Sequence, residues 1–323
     1  MNKPNICVIG GGGWGKNHIN TLNRLGFLGG IVDLNTEILE IFNDLNSECL
    51  KFTSLEDSLR HNFDGYIVAT PAETHYDIAK KLIKNSKNVL IEKPVSLNFQ
   101  NANELLLLAR EKKSFIMGGH LLLFHPAYLK IKDLIKQDLL GDIKYMYSNR
   151  LNFGKVRNHE NALWSLGPHD ISLLLFFNNE NFNSISYSES NILNREISDS
   201  SIINIKFNNN VDSHIFLSWF HPYKEHNFVI IGDKGMISYK DSDPKKEIIY
   251  YNKGIEFDKS DSTLHNLNDH GYDSIEYTKS SPLDSELIYF IDSINNKNRN
   301  LNNFEISTNV VKILENIGEI KNG

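Results

Sequence analysis

Apolar and polar positions follow two different rhythms along the chain. Up to about residue 122, short apolar runs ("NICVIG", "LGGIVD", "GYIVAT", "NVLIEKP", "SFIMGGH") alternate with stretches whose apolar residues recur at helical spacing. The first such stretch, "WGKNHINTLNRLG", carries Trp14, Ile19, Leu22 and Leu25 on one face and stops at Gly26. "THYDIAKKLIKNS" and "NFQNANELLLLAREKK" repeat the pattern. Strand and helix in alternation predict a doubly wound parallel sheet, whose ligands lie at the carboxyl ends of the strands.

Beyond that point the rhythm changes. "AYLKIKDLIKQDLLG" predicts a helix ending at Gly141, and "LWSLGPHDISLLLFF" predicts one whose first turn holds Pro168. Around and after them, "IKYMYSNRLNFG", "NSISYSES", "SIINIKF", "DSHIFLSWF", "HNFVIIGDKGMISYKD" and "KEIIYYNKGIEF" read as strands. Most follow one another without a helix between them, which predicts a largely antiparallel sheet. Two helical segments, "SELIYFIDSINN" and "STNVVKILENIGEI", end the chain.

Between the first strand and helix lie Gly10-x-Gly12-x-x-Gly15, within four consecutive glycines followed by a fifth. In that setting the first glycine permits a tight turn, the second lets a pyrophosphate approach the backbone, and the third lets helix and strand pack closely. Asp33 ends the next apolar run about twenty residues later, where a carboxylate accepts hydrogen bonds from an adenosine ribose and opposes a 2′-phosphate. NAD is therefore favoured over NADP. The expected fold class is α/β: a Rossmann dinucleotide-binding domain over residues 1–122, then an α/β domain over 123–323 with a large, mostly antiparallel open sheet.

Charge and cysteine content narrow the class further. A formal charge of −6 without a basic stripe argues against nucleic acid as a partner. Cys7 and Cys49 lie far apart and read as small reduced side chains. No run approaches the roughly 18 apolar residues of a spanning helix, and no secretory h-region is evident, so the expectation is a cytoplasmic protein with no membrane partner. His75, His120, His125 and His159 match no metal-ligand spacing, and no metal is expected.

Several polar residues carry candidate chemistry. Lys93 stands between Glu92 and Pro94 at a strand end, where it either donates to a reacting oxygen or forms a surface ion pair. His169, in "GPHDIS", is either a general base or a locally bonded helix-end imidazole. Arg150, Arg157, Asn158 and Asn161 offer donors for phosphate or sugar hydroxyls, and Trp164 a stacking surface, with a solvated loop and a core indole as the plain readings.

The motifs "GGGGWGKNH", Asp33, "ATPAETH", "EKPVSL" and "GPHDIS", with the late "PLDSELIYFIDSI", resemble the glucose-fructose oxidoreductase, inositol dehydrogenase and rhizopine-catabolism (Gfo/Idh/MocA) family of nicotinamide-dependent oxidoreductases. The resemblance implies an NAD-binding first domain and a second domain for substrate binding and oligomerisation, as a homodimer or homotetramer through its open sheet. It places cofactor contacts at Gly10, Gly12, Gly13, Trp14, Gly15, Asp33, Thr70, Pro71, His75, Glu92 and Lys93. It implies catalytic roles for Lys93 and His169. Many members carry an aspartate four residues before that histidine; this chain has Ser165. The stretch "NRLNFGKVRNHENALWSLGPHDIS" is similar to the branch acting on UDP-N-acetylhexosamines or their uronic acids. That likeness implies a nucleotide-sugar substrate met by Lys93, Arg150, Arg157, Asn158, Asn161, Trp164, Ser165 and His169, oxidation at C3, and a place in surface-polysaccharide precursor synthesis. The competing expectations are a dehydrogenase of a free sugar or cyclitol and a noncatalytic NAD-binding sensor.

Overall fold

The computed structural model describes residues 3–45, 48–154, 160–193, 196–257 and 265–322. Its residues fall into two compact units, Met1–Phe124 with Ser281–Lys312, and His125–Ser280 with Ile313–Gly323.

The first unit is a parallel sheet with helices between its strands. Strand β1 (Ile6–Ile9) leads through α1 (Gly13–Leu25) to β2 (Leu28–Val32), and α2 (Thr36–Glu40) precedes β3 (Leu50–Phe52). Then α3 (Leu55–Ser58), β4 (Gly65–Val68), α4 (Ala72–Lys84), β5 (Asn88–Glu92), α5 (Phe99–Lys112) and β6 (Ile116–Gly119) follow. The spatial order is β3-β2-β1-β4-β5-β6, with every neighbouring pair parallel. Strands β1, β2, β4 and β6 are buried at every position. Helices cover both faces of such a sheet, which is why its strands read as continuous apolar runs. Helix α1 ends where the sequence predicts: Gly26 takes a left-handed φ of 76° and its N–H returns to the carbonyls of Asn23 and Leu22.

The second unit opens with α6 (Pro126–Lys136) and β7 (Ile143–Phe153), followed by α7 (Ala162–Asn178). Strands β8 (Phe182–Ser190), β9 (Ser200–Phe207), β10 (Asp212–Ser218), β11 (Phe220–Gly232), β12 (Met236–Lys240), β13 (Ile248–Phe257) and β14 (His265–Ile275) complete an eight-stranded sheet ordered β14-β13-β12-β11-β7-β10-β9-β8. Only β7 and β10 pair in parallel. Burial alternates along β9, one face inward and one outward. The inward aromatics Tyr128, Phe177, Phe228 and Tyr239 meet edge-to-face or tilted at 5.3–6.2 Å, joining α6 and α7 to the sheet.

Two expectations differ from this architecture. A single division at residue 122 assigns the chain's end to the second domain, whereas α8 (Pro282–Asn295) and the first half of α9 (Asn302–Asn322) pack in the first unit. Leu287, Phe290 and Ile291 are buried there, Phe290 lies 6.1 Å from Phe115, and Asn303 Oδ1 accepts the Gly118 N–H at 2.8 Å. Pro168 also lies within α7 rather than in its first turn. Asn161 starts the helix earlier by accepting the Trp164 N–H, and burial around most of its circumference holds α7 together across the proline.

Candidate active site

The glycine turn consists of two kinds of glycine. Gly10 has a φ of +93°, and a Cβ on Gly15 would stand 1.8 Å from the Gly10 carbonyl oxygen, so neither position admits a side chain. At Gly12 and Gly13 a Cβ would meet nothing within 4 Å, so the protein's own packing does not require these glycines. Their bareness leaves the backbone open to a ligand. Gly12 is also the N-cap of α1; no side chain caps that end and its first turn has no acidic residue. Free N–H groups and the positive end of a 13-residue helix therefore meet whatever occupies the turn.

Asp33 secures the turn from β2. Its Oδ2 accepts the Gly11 N–H at 2.8 Å and its Oδ1 the Asn35 N–H at 2.9 Å. A carboxylate has about four acceptor positions, so the half-exposed group keeps capacity for ribose hydroxyls. Beside β1, strand β4 runs into Thr70 and Pro71, and α4 begins at Pro71 without a side-chain cap. The chain passes from β1 to β2 on one side and from β4 to β5 on the other, which makes this crevice the sheet's topological switch point. Trp14, 45% exposed, stands beside the open glycines. A bare turn, an uncapped helix end and a part-free carboxylate fit a dinucleotide.

His75 and Glu92, both expected among the cofactor contacts, are engaged by other groups of the protein. His75 is buried, with Nδ1 at 2.8 Å from Pro94 O and Nε2 at 2.7 Å from Thr70 O, so both nitrogens are committed to main-chain carbonyls. Glu92 is buried, accepts from His18 Nε2 at 2.7 Å and from the Lys93 N–H at 3.1 Å. Burial pushes its carboxyl pKa up, but the His18 bond and charge, with those of Lys93, outweigh that and hold it below the ordinary value. Half-buried Lys93 follows at the strand end, and its peptide bond to Pro94 is cis.

Three further buried groups were not legible as a cluster. His18, His120 and Glu286 are each at most 1% exposed, and His18 Nδ1, His120 Nδ1 and Glu286 Oε1 find no hydrogen-bond partner among the described residues. Burial, then the nearby Glu92 charge, raises the Glu286 pKa well above the carboxylate range. Burial lowers His120 to about 4, against the pull of Glu92 and with that of Lys93. The available signal was a polar residue on an apolar stripe: His18 shares the inner face of α1 with Gly15, Ile19 and Leu22.

In the second unit, α7 carries half-buried Trp164 and His169 and buried Ser165. The His169 carbonyl accepts the Ser172 hydroxyl at 2.8 Å. Asn161 spends its side-chain oxygen on the helix cap. Arg150 is not a free phosphate fork: it lies inside β7, buried, with Nε and Nη2 on the two oxygens of Asp170. Ser148 donates to the same carboxylate at 2.6 Å. Arg157 and Asn158 lie outside the described residues. Cys7 and Cys49 are both free and buried, and no described helix is long and apolar enough to cross a membrane.

Comparison with known proteins agrees with this construction. Residues 4–120 match the profile described as "Oxidoreductase family, NAD-binding Rossmann fold", and residues 128–238 match the "GFO/IDH/MocA C-terminal domain". A UDP-N-acetylglucosamine 3-dehydrogenase from Acidithiobacillus ferrooxidans is 30% identical over 170 residues, 52% of either chain. The chain spans about half the length of the curated relatives it matches. The crystal structure of that dehydrogenase superposes with a TM-score of 0.84 at 21% identity, covering 98% of this chain and 97% of the other. The WlbA dehydrogenase of Bordetella pertussis, solved with NADH and UDP-GlcNAcA, superposes with a TM-score of 0.76 at 17% identity over 98% of this chain and 96% of its own. By both its domains, the chain belongs to the Gfo/Idh/MocA oxidoreductase family.

Proposed function

We propose that the protein is an NAD-dependent dehydrogenase that oxidises a secondary hydroxyl, at C3, of a UDP-linked N-acetylated amino sugar or its uronic acid. The observation that carries the redox reading is the Gly12–Gly13 opening: two positions the fold leaves bare, at an uncapped helix end, on a sheet that also carries Lys93. The sugar-nucleotide part is supported by similarity to a relative named for that substrate.

In this reading Gly12, Gly13 and the first turn of α1 hold the pyrophosphate, and Asp33 holds the adenosine ribose. When bound, NAD supplies the hydride acceptor. Lys93 donates to the hydroxyl oxygen and orients it, while His169 takes its proton; Ser165, without an acidic group, can only hydrogen-bond. Because Arg150 is paired with Asp170, recognition of the diphosphate falls to other groups. The same observation favours the second reading, a dehydrogenase of a free sugar or cyclitol. Assembly through the second sheet's outward face, where Ile202 and Tyr272 are 43% and 68% exposed, belongs to the proposal as well.

The test is nicotinamide reduction with a panel of sugar nucleotides, free sugars and cyclitols, with UDP as competitor. Reduction by a UDP-amino sugar that UDP inhibits is the expected result. Reduction by a free sugar that UDP leaves untouched selects the second reading, and NAD binding without reduction by any member of the panel selects a sensor.

A further inference from the structure

We propose that His18 and His75 are positioning residues for Lys93, two buried imidazoles that brace the Lys93–Pro94 peptide from its amino and carbonyl sides. The inference rests on the reading of Lys93 as the group that meets the substrate.

Lys93 stands just past the last rung of the parallel ladder, Glu92 opposite Gly119. Side chains bond the main chain on either side of it. On the amino side the Lys93 N–H donates to Glu92 Oε2 at 3.1 Å, and the other carboxylate oxygen is held by His18 Nε2 at 2.7 Å. On the carbonyl side Pro94 O is 2.8 Å from His75 Nδ1, while His75 Nε2 is 2.7 Å from Thr70 O. Both ring nitrogens therefore face main-chain oxygens at hydrogen-bond distance, one on each side of the ring. His75 is thus a strut between the end of β4 and the lysine's turn.

The two imidazoles also reach back to the cofactor crevice. His18 lies on α1 one turn beyond Gly15, and His75 lies on α4 one turn beyond Pro71. Both helices start at strand ends that border the glycine opening. A lysine side chain is a flexible four-carbon stem, so its ammonium is placed only as well as its backbone is fixed. A misplacement of about 1 Å at a reacting group costs on the order of a hundredfold in rate.

The alternative is that both histidines are satisfied core groups with no bearing on Lys93. To separate the two, the full chain is compared as wild type, His18→Leu, which has no donor for Glu92, His75→Gln, Lys93→Ala and the His75→Gln/Lys93→Ala double variant. NAD affinity is measured by calorimetry, single-turnover nicotinamide reduction with a UDP-amino sugar, and hydrogen exchange over residues 92–96 by mass spectrometry. The brace predicts exchange of that segment about tenfold faster in either histidine variant. Reduction slows about ten- to a hundredfold, while the NAD dissociation constant stays within about threefold. The double variant is no slower than Lys93→Ala alone, and His75→Asn, whose amide can donate to Pro94 O, recovers most of the rate. Unchanged exchange over 92–96, or losses that add to that of Lys93→Ala, overturns the proposal. If wild type reduces nicotinamide with no UDP-sugar, the proposed reaction falls, and the exchange measurement still decides the brace. Should His75→Gln not fold, His18→Leu and its combination with Lys93→Ala carry the same comparisons.

Discussion

Arg150 and Asp170 form a bidentate ion pair inside the second unit, with Ser148 as a third donor to the same carboxylate. Asp170 directly follows His169, so the pair ties α7 to β7 one residue from the proposed base. Removing one partner strands a buried charge. Asp170→Asn and Arg150→Met are each expected to lose about 3–5 kcal/mol of stability, whereas Arg150→Met with Asp170→Leu recovers most of it. In the double variant the Ser148 hydroxyl can turn its one hydrogen to the Asn227 carbonyl, 3.2 Å away. Urea unfolding of the three proteins checks this; equal losses in the single and double variants would refute the pairing as the cause.

The glycine turn separates fold from ligand. Gly15→Ala forces a methyl group against the Gly10 carbonyl and should destabilise the first unit. Gly13→Ala adds a Cβ that meets nothing within 4 Å, at the first residue of α1 where alanine suits the helix, so the melting temperature should hardly move. The same side chain fills the dinucleotide's approach, and NAD affinity should fall at least about tenfold. Thermal melting and calorimetry on both variants read the two effects independently.

Asp33 serves the turn and the ribose with one carboxylate. Asp33→Ala leaves the Gly11 and Asn35 N–H groups without their acceptor and removes the proposed ribose contact. Bonds to a charged group contribute about 1.5–3 kcal/mol, so NAD affinity should drop about ten- to a hundredfold. NADP should lose less, because the negative charge opposing its 2′-phosphate is gone as well. A ratio of NAD to NADP affinity that does not change in this variant would count against Asp33 as the discriminating group.

The first unit was legible because each of its signals is local. Apolar runs mark the buried strands, glycines mark the turn, and Asp33 follows at the spacing the fold requires. The second unit shows where local reading ends. Strand β14, "HNLNDHGYDSI", has no apolar alternation because it is an edge strand with Leu267 and Tyr272 largely exposed, so nothing in its pattern distinguishes it from a loop. Arg150 reads in sequence as a donor for phosphate or sugar hydroxyls because its partner lies twenty residues away on another element, and only the packing of α7 on β7 brings them together. The environment of His75 is equally non-local: its motif resembles one at a cofactor site, while its side chain turns inward to the Pro94 and Thr70 carbonyls.

The buried cluster behind Lys93 should make stability respond to pH in two opposed ways. His120 titrates at about 4 in the folded chain because burial disfavours its charge, against about 6.5 when exposed. Above the higher value both states are neutral and the full stability is present. As pH falls through this window the unfolded chain takes up a proton that the native state refuses, so stability drops by about 1.4 kcal/mol per pH unit, on the order of 3 kcal/mol in all. Glu286 has the reverse sign. Its native pKa is raised, so its contribution is complete below the ordinary carboxylate value and is lost as pH rises through the native one. His120→Phe should therefore flatten the acid limb, and Glu286→Gln should flatten the limb above the carboxylate range. Unfolding free energies from about pH 4 to about pH 8 check both. His226 of the second unit, also lowered to about 4 by burial and then by Arg150 and Lys224, adds a second acid-sensitive group. The informative quantity is thus the difference between variant and wild type; an acid limb equally steep in His120→Phe would mean that His120 is protonated in the native state.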